Sequence, residues 1–202
     1  MTDSQIIGKS VEIPREGEYL TLAFSPSSVP LHSRWRNNGL SADFLGDYVT
    51  TFMPAMEGLA ASTSRQTEIK HAVTYIANEL LENAMKYHAR DLDIPIKMHL
   101  ELTSDHIKVS VSNGIGITQA ESYRAFVEVL KNGDVENLIV KQQEESAKSD
   151  ESIVSCLGIM TMIADYDAQL DWTFEVQPTP PGGCLVTTSA VLLLNAIAGV
   201  SA

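Results

Sequence analysis

The stretch Glu79-Leu80-Leu81-Glu82-Asn83-Ala84-Met85-Lys86-Tyr87, with the two alternating runs that follow it, decides how the fold is read. A helical residue turns about 100°, so Ile69, Val73, Ile76, Leu80 and Ala84 line one apolar stripe. That stripe predicts an amphipathic helix over residues 65–88. Downstream, Ile96, Met98, Leu100 and Leu102 alternate with Lys97, His99 and Glu101. Ile107, Val109 and Val111 alternate with Lys108 and Ser110. Ser104-Asp105 lies between the runs, which predicts an antiparallel hairpin. A helix with one apolar side and a hairpin with one apolar face bury those surfaces against each other.

Working outward, residues 1–10 read as a flexible, frayed N-terminus. Residues 11–24 carry two short strand-like pieces around Pro14-Arg15-Glu16-Gly17. Residues 31–53 read as a helix in which Leu40, Phe44, Tyr48 and Phe52 recur at four-residue spacing, closed by Pro54. Beyond the hairpin lies a polar zone whose centre, residues 144–151, is charged and poor in apolar side chains. Residues 117–155 therefore read as a mobile, lid-like insert. A helix is expected over 157–166. A strand is expected through Leu170, Trp172, Phe174 and Val176, then a turn at 178–183 and a last strand over 184–194. Strands grouped with helices between them predict an α+β two-layer sandwich, with a mainly antiparallel mixed sheet and helices on one face. One domain would span 11–195, with a tail at 196–202.

The chain has 202 residues, 44% hydrophobic and 20% charged, with a formal net charge of −12. That suits one globular domain. A negative field repels phosphate backbones, so nucleic acid is not an expected partner. Cys156 and Cys184 make no metal or disulfide spacing, which fits a reducing cytoplasm. The N-terminus carries no signal-peptide pattern. The apolar stretch at 190–200 is shorter than the roughly 20 residues a bilayer span needs, so no membrane segment is expected. The histidines suggest no metal site. His71 and His88 fall on the second helix, and His99 and His106 flank the hairpin turn, where exposure is expected.

The second helix also carries chemistry. Counting from Glu79, Asn83 lies about 40° to one side and Lys86 about 20° to the other. The apolar stripe centres roughly 110° away. One side can pack on a sheet while an adjacent side shows a ligand a carboxylate, an amide and an ammonium. A carboxylate can accept a proton from an attacking hydroxyl. An amide oxygen can enter a Mg²⁺ shell. An ammonium can offset phosphate charge. A solvated Glu/Lys face is the plain alternative for these residues taken singly.

The pattern Glu79-Leu-x-x-Asn83-Ala-x-Lys86-Tyr87 resembles the N-box of GHKL (histidine kinase-like) ATPase domains. By that resemblance Glu79 is the general base, Asn83 the Mg²⁺ ligand, and Lys86 and Tyr87 nucleotide contacts. The family's D-x-G-x-G motif is met by Ser112-Asn113-Gly114-Ile115-Gly116. The glycines stand in place, and Ser112 occupies the position of the adenine-reading acid. A serine can still accept a hydrogen bond, without charge and with shorter reach. The family's glycine-rich helix entry corresponds to Ser155-Cys156-Leu157-Gly158-Ile159, where Gly158 remains and Cys156 stands where another glycine is expected. The arginine-rich Arg34-Trp35-Arg36-Asn37-Asn38-Gly39-Leu40 and the segment from Leu157 through Asp165-Tyr166 to Trp172 narrow the likeness to small bacterial regulators. These are the relatives of anti-sigma-factor serine kinases and SiaB-type kinases. The resemblance implies ATP and Mg²⁺ as cofactors and a STAS-type, anti-sigma-antagonist-like protein as partner. It implies a serine/threonine kinase or nucleotide-dependent regulator in a partner-switching circuit, and it allows a homodimer. A catalytically dead module that sequesters its partner without nucleotide is the alternative. An ATP-gated switch without phosphoryl transfer is a third reading.

Overall fold

The computed structural model describes residues 4–8, 17–25, 31–53, 63–132, 157–177 and 182–194. In chain order the elements are β1 (Ser4–Gly8), β2 (Glu18–Phe24), α1 (Leu31–Phe52), α2 (Thr63–Tyr87), β3 (Ile96–Leu102) and β4 (His106–Ile115). They continue with α3 (Ile117–Asn132), α4 (Leu157–Tyr166), β5 (Gln169–Gln177) and β6 (Gly183–Leu193). The strands form one six-stranded sheet in the order β1-β5-β6-β4-β3-β2. Every pairing among the described strands is antiparallel, so the described sheet is antiparallel rather than mixed.

Alternation along the strands gives the sheet two different faces. The inner face carries Ile107, Val109 and Val111 of β4, Met98 and Leu100 of β3, Ala190 and Leu192 of β6, and Trp172 and Phe174 of β5, all buried. Residues α2 contributes to the same core include Ile69, Val73, Ile76, Leu80 and Ala84, the stripe read from sequence. α3 lies on the inner face as well. The Trp172 indole donates to the Tyr123 hydroxyl at 2.9 Å, and the Tyr123 ring meets Phe174 edge-on at 5.9 Å. α1 and α4 pack against α2. The two-layer α+β arrangement with helices on one face is therefore the observed one.

Four details depart from the sequence pattern. First, the buried face of α1 is Ala42, Leu45 and Val49, continued by Met53 just past its end, while Leu40 is 68% exposed and Phe44 is half exposed. A strict four-residue repeat advances about 40° per step and winds off any single face. The true face uses three- and four-residue steps. It comes close to α2 at Gly46, where an added Cβ would meet Lys70 Cγ at 3.2 Å and collide with the Thr74 hydroxyl. Second, residues 4–8 are not frayed. They pair with β5 from Ser4↔Glu175 to Gly8↔Asp171, because the edge of β5 offers a ladder of unpaired backbone groups. Third, the first part of the lid-like insert is α3, a helix of 16 residues whose Ala120, Val127 and Leu130 are buried. Residues 133–155 and the tail at 196–202 lie outside the described residues. Fourth, His106 is buried rather than exposed. The Thr103 hydroxyl accepts from the backbone N–H of His106 at 3.2 Å, and Leu194 N–H donates to Asp105 O at 2.8 Å, so the end of β6 folds the turn inward.

The two sides of α1 give a direct test. Leu45→Ala is expected to cost about 2–5 kcal/mol of unfolding free energy, and Leu40→Ala to stay within about 0.5 kcal/mol of wild type. Urea denaturation of both variants measures this. The reverse order would assign the core to the other side of the helix.

Candidate functional site

α2 is helical through Tyr87, so Glu79, Asn83 and Lys86 share one flank beside the buried stripe. Glu79 and Asn83 are half-buried and Lys86 is exposed. α4 runs antiparallel to α2 along this flank. Tyr75 stacks on Tyr166 at 5.1 Å, near the C-terminal end of α4. One turn further along α2, Glu79 reaches Gly158 in the first turn of α4. A Cβ at Gly158 would stand 2.7 Å from the Glu79 carboxyl carbon, closer than real Cβ contacts allow. Glycine at 158 is what lets the acid lie against the helix N-terminus, where unpaired N–H groups favour negative charge.

Burial pushes the Glu79 carboxyl above its ordinary range, and the nearby Glu82 adds to the rise. Glu82 itself is held by the Asn78 amide, which donates to its carboxylate at 2.9 Å. A carboxylate raised in this way is a better proton acceptor near neutral pH than a solvated one. Lys86 Nζ sits 5.2 Å from the centre of the Tyr87 ring. The Tyr87 hydroxyl is buried and has no hydrogen-bond partner among the described residues.

The second motif is rearranged. Ser112 pairs with Thr187 in the β4–β6 register, and the Thr187 hydroxyl donates to Ser112 Oγ at 3.1 Å. This pair sits on the outer face with Lys108 and Ser110, away from α2. The structure therefore does not bring Ser112 to Glu79. The next residue, Asn113, continues the inward series Ile107, Val109, Val111 and is 8% exposed. Ala89 N–H donates to Gly114 O at 2.9 Å, which ties the end of α2 to this end of β4. Asn113 is the polar side chain that sequence reading missed at this corner. The signal was available, since extending the alternation of β4 by one step selects position 113 and rejects 112.

The glycines also differ in role. A Cβ on Gly114 would meet Ile94 Cδ1 at 2.9 Å, and one on Gly183 would meet Leu92 Cδ1 at 2.6 Å. The close approach these glycines allow is to the chain after α2, and at Gly114 that space is filled by protein. Gly116 faces open space and its carbonyl accepts from Ala120 N–H at 2.9 Å, so it opens α3. Cys156 lies outside the described residues, as do the side chains of Arg34 and Arg36. Among the described residues no group of three or more His, Cys, Asp and Glu is gathered for a metal ion. No described helix is long and apolar enough to cross a membrane.

The geometry thus has two ends. At one, an acid, an amide and an ammonium line the flank of α2 beside the first turn of α4. At the other, the Tyr87 hydroxyl is buried without a partner among the described residues, and Asn113 is a buried polar residue on the inner face. No protein-family profile matches the chain, and no curated protein matches it. Among solved structures, the fold is similar to a chain in the crystal structure of the SiaB–SiaC complex from Pseudomonas aeruginosa. The TM-score is 0.53 at 14% identity, covering 86% of this chain and 89% of that one. At that identity the likeness is one of fold.

Glu79 gives a pH-dependent prediction. Its folded pKa lies above the unfolded value, so stability falls as pH rises past the unfolded pKa, and the full penalty stands once pH exceeds the folded pKa. Below the unfolded value, about 4.3, both states are protonated and the effect vanishes. Glu79→Gln is expected to raise the melting temperature at pH 7–8, with the gain shrinking as pH falls toward 4. Thermal unfolding across that range checks it. A gain that does not change with pH would mean the carboxylate charge is not the source.

Proposed function

We propose that this chain is a GHKL-like regulatory domain that binds Mg²⁺–ATP on the flank of α2 and acts on a STAS-type protein partner in partner switching. The observation that carries the reading is the seating of Glu79 on the first turn of α4, with Asn83 and Lys86 on the same flank. Oxygen donors from a carboxylate and an amide suit Mg²⁺, which prefers oxygen and keeps several waters. Bound nucleotide would supply the phosphoryl group. Asn83 would lend its amide oxygen to the metal shell, and Lys86 would offset phosphate charge. Free N–H groups at the start of α4 would face the phosphates. Glu79 would take the proton from a serine or threonine hydroxyl of the partner, which fits its raised pKa. The likeness to a chain of the SiaB–SiaC complex supports the choice of a protein as the object of regulation.

A second reading has its own observation. Ser112 faces away from α2, and the approach to Gly114 is filled by Ile94. A site altered at that end suits a module that has lost nucleotide and works by holding its partner.

Calorimetry distinguishes the two. Under the first reading Mg²⁺–ATP titrates with measurable heat, and Asn83→Ala weakens binding by about tenfold or more, the loss of a metal ligand. Unchanged ATP affinity in Asn83→Ala would remove Asn83 from the site. Absence of heat with Mg²⁺–ATP and Mg²⁺–ADP, while a STAS-type protein still binds, would establish the second reading.

A further inference from the structure

The flank of α2 continues one turn before Glu79. At about 100° per residue, Tyr75 lies about 40° from Glu79, on the Lys86 side. Its ring is half-buried and packs against the edge of the core. α4 meets it there. Gly158, Thr161 and Asp165 follow one another at three- and four-residue steps, so they share one side of α4. Ile159, Met160 and Met162 are its buried residues.

α4 has 10 residues, a length at which an isolated helix is marginal in water. Its place is therefore set by what it packs on. The buried residues fix its depth over the sheet. They do not fix how close its first turn lies to α2. Gly158 permits the approach to Glu79 but has no side chain with which to hold it. Tyr75 supplies the grip at two points. Its ring stacks on Tyr166 at 5.1 Å, with 27° between the planes. Its hydroxyl hydrogen-bonds with the Thr161 side chain. Burial raises the Tyr75 pKa, Thr161 acts against the rise, and Glu79, Tyr166 and Asp165 add to it. The phenol therefore stays protonated, and keeps its hydrogen bond, over the range in which a carboxyl titrates. The titratable groups along this seam are Tyr75, Glu79 and Glu82 on α2 and Asp165 and Tyr166 on α4.

We propose that Tyr75 is the positioning residue for Glu79: it clamps α4 to α2 through Thr161 and Tyr166, and the clamp keeps the first turn of α4 over the Glu79 carboxyl. Tyr75 acts through α4 and not on reacting atoms. Its part in phosphoryl transfer rests on the function proposed above, whereas the clamp needs no nucleotide. With α4 held, Glu79 is shielded from water on the side that Gly158 covers. With α4 released, water returns and the acid behaves as a solvated one.

Titration of the Glu79 side-chain carboxyl by carbon-13 NMR tests this in the full chain, the resonance being assigned through Glu79→Gln. The wild-type midpoint is expected above the usual value of about 4.3. Tyr75→Ala is expected to bring it down to the ordinary range. Tyr75→Phe keeps the ring and loses the Thr161 bond, so its midpoint is expected between the two, with Thr161→Val matching it. Leu45→Ala destabilises the core from α1 and is expected to leave the midpoint in place. A purely structural role would make the midpoint follow stability, so an equal shift in Leu45→Ala and Tyr75→Ala overturns the proposal. An unchanged midpoint in a folded Tyr75→Ala chain overturns it as well. If Tyr75→Ala does not fold, Tyr75→Phe and Thr161→Val decide, and wild-type midpoints in both reject the clamp. No nucleotide enters the titration, so its result is separate from whether Mg²⁺–ATP binds.

Discussion

The packing of the α2 apolar stripe onto β3 and β4 is the constraint on which the other features depend. Ile76, Leu80 and Ala84 are fixed against the inner face by burial worth on the order of 1.5–3 kcal/mol for each large side chain. Helical geometry then leaves no freedom in where Glu79, Asn83 and Lys86 point. They emerge on the flank, and α4 closes on that flank through Tyr166 and Gly158. The half-burial that raises the Glu79 pKa follows from this closure, so an apolar contact sets the acid–base character of a residue that takes no part in the core.

How much of this was legible in the sequence depended on whether a pattern was local or relative. The α2 stripe, the β3–β4 hairpin and the span of α4 are local, and they stand where periodicity puts them. The buried face of α1 is less evident from spacing alone, because Ala42, Leu45 and Val49, which obey the helical turn, stand among the evenly spaced Leu40, Phe44, Tyr48 and Phe52. β1 carries no strong signal of its own. It is a strand because β5 offers it an edge, and an edge is a tertiary fact. α3 was hidden among polar residues, although Ala120, Tyr123, Val127 and Leu130 keep helical spacing.

The site shows the same division. The flank of α2 was readable because helical angles fix side-chain directions without knowledge of the sheet. The turn after β4 was not, since matching the glycines of a motif selects Ser112 while strand parity turns Ser112 to the outer face and Asn113 to the inner one. One residue of register exchanges the two faces of a strand. The filling of Gly114 by Ile94 depends on a connection that only the fold brings round.

The hydrogen bond from Trp172 to Tyr123 has an optical consequence. The sequence holds two tryptophans, and Trp172 is buried within the sheet–helix interface. Its indole N–H is held by a residue of α3, so any lifting of that helix would admit water to the ring and shift its emission to longer wavelength. Comparison with a chain lacking Trp35 would isolate that signal, giving the protein an intrinsic fluorophore that reports on the seating of α3 without an added dye.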